Sequence, residues 1–178
     1  MNEVIDAILS RRSVRSYKPD MVEPELIEQV LEAGTYAANG KGQQAPIILA
    51  VTNRTLRDRL SQRLREINME VSGYTPDDPF YGAPVVLIVL ADRSRPTYLY
   101  DGSLVIGNMM LAAHSLGLGS CWIHRAKLMF EQEEGKQLLS ELGIDGDYEG
   151  IGHCILGYPQ AVQQEPQPRK ADYIYYIR

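Results

Sequence analysis

The sequence predicts a layered fold of mixed helix and strand, and three observations carry that expectation. Segments of helical and of strand period alternate along the 178 residues, with no repeat, low-complexity tract or linker between them. Residues 85–91 form an unbroken apolar run, the pattern of a central strand covered on both faces. Residues 101–118 form a helix-length segment whose apolar positions (Leu104, Val105, Ile106, Met109, Met110, Leu111, Ala112, Ala113, Leu116) nearly encircle the axis, so several sides must be covered. A single domain, residues 1–178, with 44% hydrophobic content can bury a sizeable core.

Taken in order, Val4, Ile5, Ile8 and Leu9 mark a first amphipathic helix with Asn2 as its cap. Leu26, Ile27, Val30 and Leu31 mark a second, opened by Pro24 at a first-turn position that tolerates proline. Residues 47–52 read as a strand, and Leu56, Leu60, Leu64 and Ile67 as a strongly amphipathic helix capped near Asn53. Residues 77–84 are turn-rich and lead into the central strand. After the long helix, Gly117-Leu118-Gly119 stops the helical pattern, and residues 120–123 begin a short strand abruptly. Residues 151–158 give a last strand, stopped by Pro159, and residues 172–178 an extended arm carrying Tyr173, Tyr175 and Tyr176. For the all-round apolar helix, burial inside one chain and a homodimer interface both remain open; Gly107 and the small alanines suit close approach, and the methionines suit an irregular partner.

Charge and composition narrow the function. A net charge of −5 and a pI near 5.2 argue against a general nucleic-acid or anionic-membrane surface. No apolar run reaches the length of a membrane span, and the start, Met1-Asn2-Glu3, has no signal-peptide character, so a cytoplasmic location is expected. Cys121 and Cys154 are too few for a disulfide scaffold and lie in apolar runs, so both are expected reduced and buried.

Against this acidic background, Arg11-Arg12-Ser13-Val14-Arg15-Ser16-Tyr17 concentrates fork-shaped cationic donors and hydroxyls just after a short helix. Such a set suits bidentate capture of a phosphate monoester; a solvated basic loop is the bland alternative. A second cluster, Pro168-Arg169-Lys170, follows a proline-rich turn and suggests that the two share one anion. Cys121, His124, His153 and Cys154 form a poor zinc set, because neighbouring strand residues point to opposite faces. His114 and Trp122 read first as packed side chains. No glycine-rich dinucleotide fingerprint or P-loop occurs.

The chain resembles the nitroreductase family of FMN-dependent oxidoreductases. The resemblance is carried by residues 8–17, by Ala37-Ala38-Asn39-Gly40-Lys41-Gly42-Gln43-Gln44, by Asp78-Pro79-Phe80-Tyr81-Gly82-Ala83-Pro84, by Gly117-Leu118-Gly119-Ser120-Cys121-Trp122-Ile123, and by Gly157-Tyr158-Pro159 ahead of Pro168-Arg169-Lys170, in the family's order. It implies an α+β fold with a mixed, largely antiparallel sheet flanked by helices, and a homodimer with the long central helix at its interface. It implies FMN as cofactor, NADH or NADPH as electron donor, and a small acceptor such as a nitroaromatic, quinone or activated alkene, reduced by a ping-pong cycle. A noncatalytic flavin carrier and a phosphate-binding module without flavin are the alternatives. By resemblance, Arg11, Arg12 and Ser13 hold the phosphate and ribityl chain, with Arg169 closing from the C-terminal side. Arg15 reaches the pyrimidine edge, where a fixed cation favours the reduced anion. Ile123, His124 and Arg125 pass beside the ring and present a backbone N–H to N5, while Ala38, Asn39 and Gly40 come from the other subunit. No catalytic side chain and no metal are implied. Gln43-Gln44-Ala45-Pro46 lacks the aromatic that many relatives carry there, and no equivalent of the family's flavin-touching Asn and Lys is evident between residues 66 and 81.

Overall fold

The computed structural model describes residues 2–161 and 165–178; the proline-rich turn before Pro168 lies partly outside them. Four strands, β1 (Pro46–Val51), β2 (Val85–Asp92), β3 (Gly119–Ile123) and β4 (Tyr148–Gly157), form one sheet in the order β1-β2-β4-β3. All three pairings are antiparallel, and a single parallel bridge joins Ser13 to Ser120 at the outer edge of β3. The fold is therefore α+β with a largely antiparallel sheet.

The β2 strand shows why this sheet has two covered faces. Val86, Ile88 and Leu90 point into a core built with α3 (Arg54–Ser72), α5 (Ala126–Glu131) and α6 (Glu133–Glu141). Val85, Leu87 and Val89 point the other way, toward α2 (Pro24–Thr35) and α4 (Tyr98–Ser115). With side chains alternating at period two, a strand buried on both sides has to be apolar at every position.

Local signals set the helix ends. The Asn2 side chain accepts from Val4 N–H at 2.9 Å to open α1 (Glu3–Ser10), and Asn53 accepts from Leu56 N–H at 2.9 Å to open α3. Gly117, in the left-handed region at φ 75°, ends α4, and Leu118 N–H reaches back to Ala113 C=O at 2.8 Å. The all-round apolar α4 is covered largely from within the chain: it packs on α2 and on the sheet, and Met109 is fully buried. Only a strip including Leu99, Tyr100 and Leu104 stays open to solvent. The two short helices α5 and α6, not marked by the sequence pattern, are separated by the extended residue Gln132.

Residues 11–18 leave α1 and run along the edge of β3. Val14 N–H donates to Ser120 C=O at 2.9 Å, Lys18 N–H to Tyr158 C=O at 2.9 Å and Gln160 N–H to Ser16 C=O at 3.0 Å. Gly119 permits the approach, since a Cβ there would lie 2.8 Å from Val14. Gly150 does the same for the start of α5, where a Cβ would lie 2.4 Å from the backbone of Ala126.

Candidate functional site

The edge of β3 holds the first part of the site. Arg11 terminates α1, its N–H donating to Ala7 C=O at 3.0 Å, and Arg12 folds back so that Nη1 donates to the carbonyls of Leu9 at 2.7 Å and Arg11 at 2.8 Å. These bonds leave other donors unused: Arg11 Nη1 and Arg12 Nε are buried without an acceptor, as is the Ser120 hydroxyl. A buried donor left unmade costs about 1–3 kcal/mol, and more when charged. The corner is therefore complementary to an anion with several oxygens, and a phosphate fits it.

His114, from the end of α4, closes the corner from behind. The Ser10 hydroxyl donates to Asp6 C=O at 2.7 Å, so its oxygen accepts the proton on His114 Nε2 at 2.8 Å. Burial first, and then the charges of Arg11 and Arg12, hold the His114 imidazole below its usual pKa. Beneath Ser13, burial pushes the Cys121 thiol up, opposed by Arg15, a hydrogen bond from Ser13 and Arg11. The Ser13 bridge to Ser120 and the Val14 bond to the same residue lay residues 11–15 along one edge of the sheet.

Beside the corner opens a cleft of about 460 Å³, lined among others by Arg15, Asn68, Tyr81, Ile123, His124 and Arg125. Its floor follows from the β3 ladder. Ser120 spends its carbonyl on Val14, so the odd residues of β3 face β4, and the Ile123 carbonyl also accepts from His153 Nδ1 at 3.2 Å. Across a trans peptide the N–H points opposite to the carbonyl, so the His124 N–H is directed away from β4, toward the edge that carries Arg15. Trp122 packs against His124 with ring centroids 5.2 Å apart, a structural contact at the cleft's rim. Arg125, left-handed at φ 73°, serves as a brace: Nη1 donates to the Asn68 side-chain oxygen at 2.8 Å near the end of α3.

The remaining expected residues lie elsewhere in the chain. Ala38, Asn39 and Gly40 belong to the side covered by α2 and α4, where a cavity of about 400 Å³ is lined by Leu31, Asn39, Gln44, Ile48 and Val105 among others. That loop is held from within: Asn39 Oδ1 accepts from Gln44 N–H at 2.9 Å, and buried Asp101 accepts from Gly40 N–H at 3.0 Å and from the Thr97 hydroxyl at 2.9 Å. Arg169 lies on the exposed tail, where the side-chain contacts among the described residues are local, such as Lys170 over the Tyr173 ring at 5.7 Å. One chain thus brings together Arg11, Arg12, Ser13 and Arg15 with residues 123–125, and leaves residues 38–40 and Arg169 apart from them.

Asn68, Tyr74 and Tyr81 are cleft residues that sequence reasoning missed. Asn68 sits one turn before the end of α3 at the border of its apolar stripe, half-buried, and its role as the acceptor for Arg125 depends on a residue far along the chain.

Comparison with known proteins agrees with this geometry. The model of the Nitroreductase family matches residues 8–158. A protein of Archaeoglobus fulgidus described as a putative NADH dehydrogenase/NAD(P)H nitroreductase is 28% identical, covering 90% of this chain and 87% of its own. An FMN reductase [NAD(P)H] of Bacillus subtilis is 29% identical, covering 67% of this chain and 53% of its own length. Among solved structures, a nitroreductase with bound FMN from Bacteroides fragilis superposes with a TM-score of 0.90 at 28% identity, covering 100% of both chains.

Proposed function

The chain belongs to the nitroreductase family, and we propose that it is an FMN-dependent NAD(P)H oxidoreductase that reduces a small acceptor, such as a nitroaromatic, quinone or activated alkene, in a ping-pong cycle. The observation that carries this reading is the pair of buried guanidinium donors without acceptors, Arg11 Nη1 and Arg12 Nε, placed beside a cleft that Arg15 lines. When bound, FMN supplies the redox chemistry, taking hydride from NADH or NADPH and passing electrons to the acceptor. Arg11, Arg12 and Ser13 would hold its phosphate and ribityl chain. Arg15 would place a fixed cation at the pyrimidine edge and favour the form that carries negative charge there. Residues 123–125 would line the other edge of the ring, with the outward His124 N–H as the donor at N5. No side-chain acid or base is required of the protein.

Part of the site is assigned to a second copy. Residues 38–40, held on the α2 and α4 side, would complete the neighbouring subunit's site, and Arg169 on the tail would close over the phosphate from the C-terminal side. A homodimer also accounts for the apolar surface that one chain leaves uncovered. The helix α1 buries no residue, and Val4, Ile5, Ile8 and Leu9 are all exposed on it, as are Leu104 on α4 and Tyr173, Tyr175, Tyr176 and Ile177 on the tail. Residues 1–178 form one domain in this reading, and the location is cytoplasmic; no helix among the described residues is long and apolar enough to cross a membrane.

The test begins with the purified protein, which is expected to be yellow, to release FMN on denaturation and to bind riboflavin much more weakly than FMN. It should then oxidise NADH or NADPH when an acceptor is present. Tight FMN binding without any NAD(P)H oxidation would leave a flavin carrier, and indifference to FMN would overturn the reading altogether.

A further inference from the structure

The loop at residues 76–84, between α3 and β2, contributes Pro76, Pro79 and Tyr81 to the cleft. Tyr81 sits in the left-handed region at φ 54°, a conformation that a bulky aromatic residue adopts only when its surroundings impose it. What imposes it is visible on both sides of the residue. Phe80 N–H donates to Asp78 Oδ1 at 2.9 Å and Gly82 N–H donates to Asp78 Oδ2 at 2.7 Å, so one carboxylate clasps the amides that flank Tyr81.

The clasp is itself anchored in α3. The Ser61 hydroxyl donates to Oδ1 at 2.5 Å, the Arg57 guanidinium bonds to Oδ2, and Arg57 Nε donates to Ala83 C=O at 3.0 Å. Phe80, fully buried, packs on the His153 ring at 5.3 Å and beneath the Arg57 guanidinium at 5.6 Å. Residue 80 is thereby pinned inward and residue 82 backward, which leaves the Tyr81 side chain at the wall of the cleft. Burial opposes the charge on Asp78, but Arg57, Ser61 and the amides of Phe80 and Gly82 outweigh it and hold the carboxyl below its ordinary pKa. The clasp stays ionised at neutral pH.

We propose that Asp78 is a positioning residue, acting through the backbone to hold Tyr81 as one wall of the cleft, and that Tyr81 selects planar aromatic acceptors by limiting the width of the slot. This rests on the reading of the cleft as the flavin and acceptor site. Asparagine at position 78 has a single acceptor oxygen, so whichever way its amide turns, a donor faces a donor on one side of Tyr81 and half of the clasp is lost.

The experiment uses FMN-loaded protein and compares Asp78→Asn, Tyr81→Gly and the double variant with wild type. Asp78→Asn should raise KM for p-nitrobenzoate about tenfold while the rate of flavin reduction by NAD(P)H changes about twofold or less, because the change is in acceptor fit. The visible circular dichroism of the bound flavin should change as well, and the double variant should match Tyr81→Gly alone in both readouts, since Asp78 acts only through residue 81. Unchanged KM and dichroism in Asp78→Asn, or additive effects in the double variant, would overturn the proposal. Should Asp78→Asn fail to fold, Ser61→Ala removes one donor to the same carboxylate and should give the same pattern at about threefold; a flat response there also overturns it. A wild-type protein that takes up no FMN would overturn the underlying reading, and this role with it.

Discussion

Arg11, Arg12 and Arg15 lie in a segment tied to β3 and to the turn after β4, whereas Arg169 and Lys170 lie in a segment exposed along its described length. The first cluster is pre-organised. Its direction is set by backbone bonds to Ser120 and Tyr158, and some of its charged donors are buried before any ligand arrives. The second pays no such cost and has no such aim, since its contacts are with its own neighbours. The difference indicates where one chain's contribution ends. The proposed phosphate corner and the floor of the cleft are built from one edge of the sheet, whereas residues 38–40 sit on the α2 and α4 side and residues 165–178 form an exposed arm.

Four measurements test that contrast. The largest effect is expected from Arg11→Ala, which should weaken FMN binding by about 2–3 kcal/mol by removing a charge-assisted bond from a preformed pocket. Arg169→Ala should cost less, about 1.5 kcal/mol, because a tail residue must be ordered in order to bind. Equal losses by fluorescence titration would mean that the tail is pre-organised after all. Second, Ile8→Glu on the exposed face of α1 should leave the thermal transition of the chain nearly unchanged yet weaken self-association by about 2 kcal/mol, roughly thirtyfold in the dimer Kd. Sedimentation showing an unaltered dimer would remove α1 from the interface.

Third, Arg15→Gln should leave much of the affinity for oxidised FMN intact and lower the flavin's midpoint potential by ~30 mV, the equivalent of about 1.4 kcal/mol for a two-electron couple. A spectroelectrochemical titration that finds no shift but a large loss of affinity would make Arg15 another phosphate ligand. The smallest effect concerns His114, whose pKa lies below 6.5 because of burial, Arg11 and Arg12. The folded chain binds that proton less well than the unfolded one, so stability should fall as pH drops through 6.5 toward the folded value, and His114→Gln should remove this dependence. Phosphate bound at Arg11 and Arg12 should raise the His114 pKa, which a proton NMR titration with and without FMN would read directly.

The legible parts of the molecule were those written in local chemistry. Asn2, Asn53 and Pro24 announce helix starts, and residues 85–91 announce a strand covered on both faces. Arg11, Arg12, Ser13 and Arg15 were legible because cations gathered in an acidic chain are conspicuous. The long helix was legible as buried, but what covers it was not: Met109 lies inward, which periodicity cannot tell from an interface position when every face is apolar. The helices α5 and α6 escaped because they are short, lack side-chain caps and meet at an extended glutamine. Asp101, a first-turn acid by sequence, is a buried tether for Gly40. Asn68 and Tyr81 were hidden for the same reason, since their placement depends on contacts tens of residues away and on one carboxylate that binds the backbone on either side of a tyrosine.

The two cysteines allow the molecule to report its own breathing. Cys121 belongs to the core under α3 and α5, and Cys154 to the core under α2 and α4, so neighbouring strands carry one thiol into each half of the protein. Burial raises both, Cys154 to about 12, and neither can be alkylated while its layer is closed. Labelling rates at the two sulfurs therefore act as separate clocks for the lifting of each helical layer from the sheet. If cofactor binding steadies the β3 edge more than the opposite layer, the Cys121 clock slows and the Cys154 clock keeps its time.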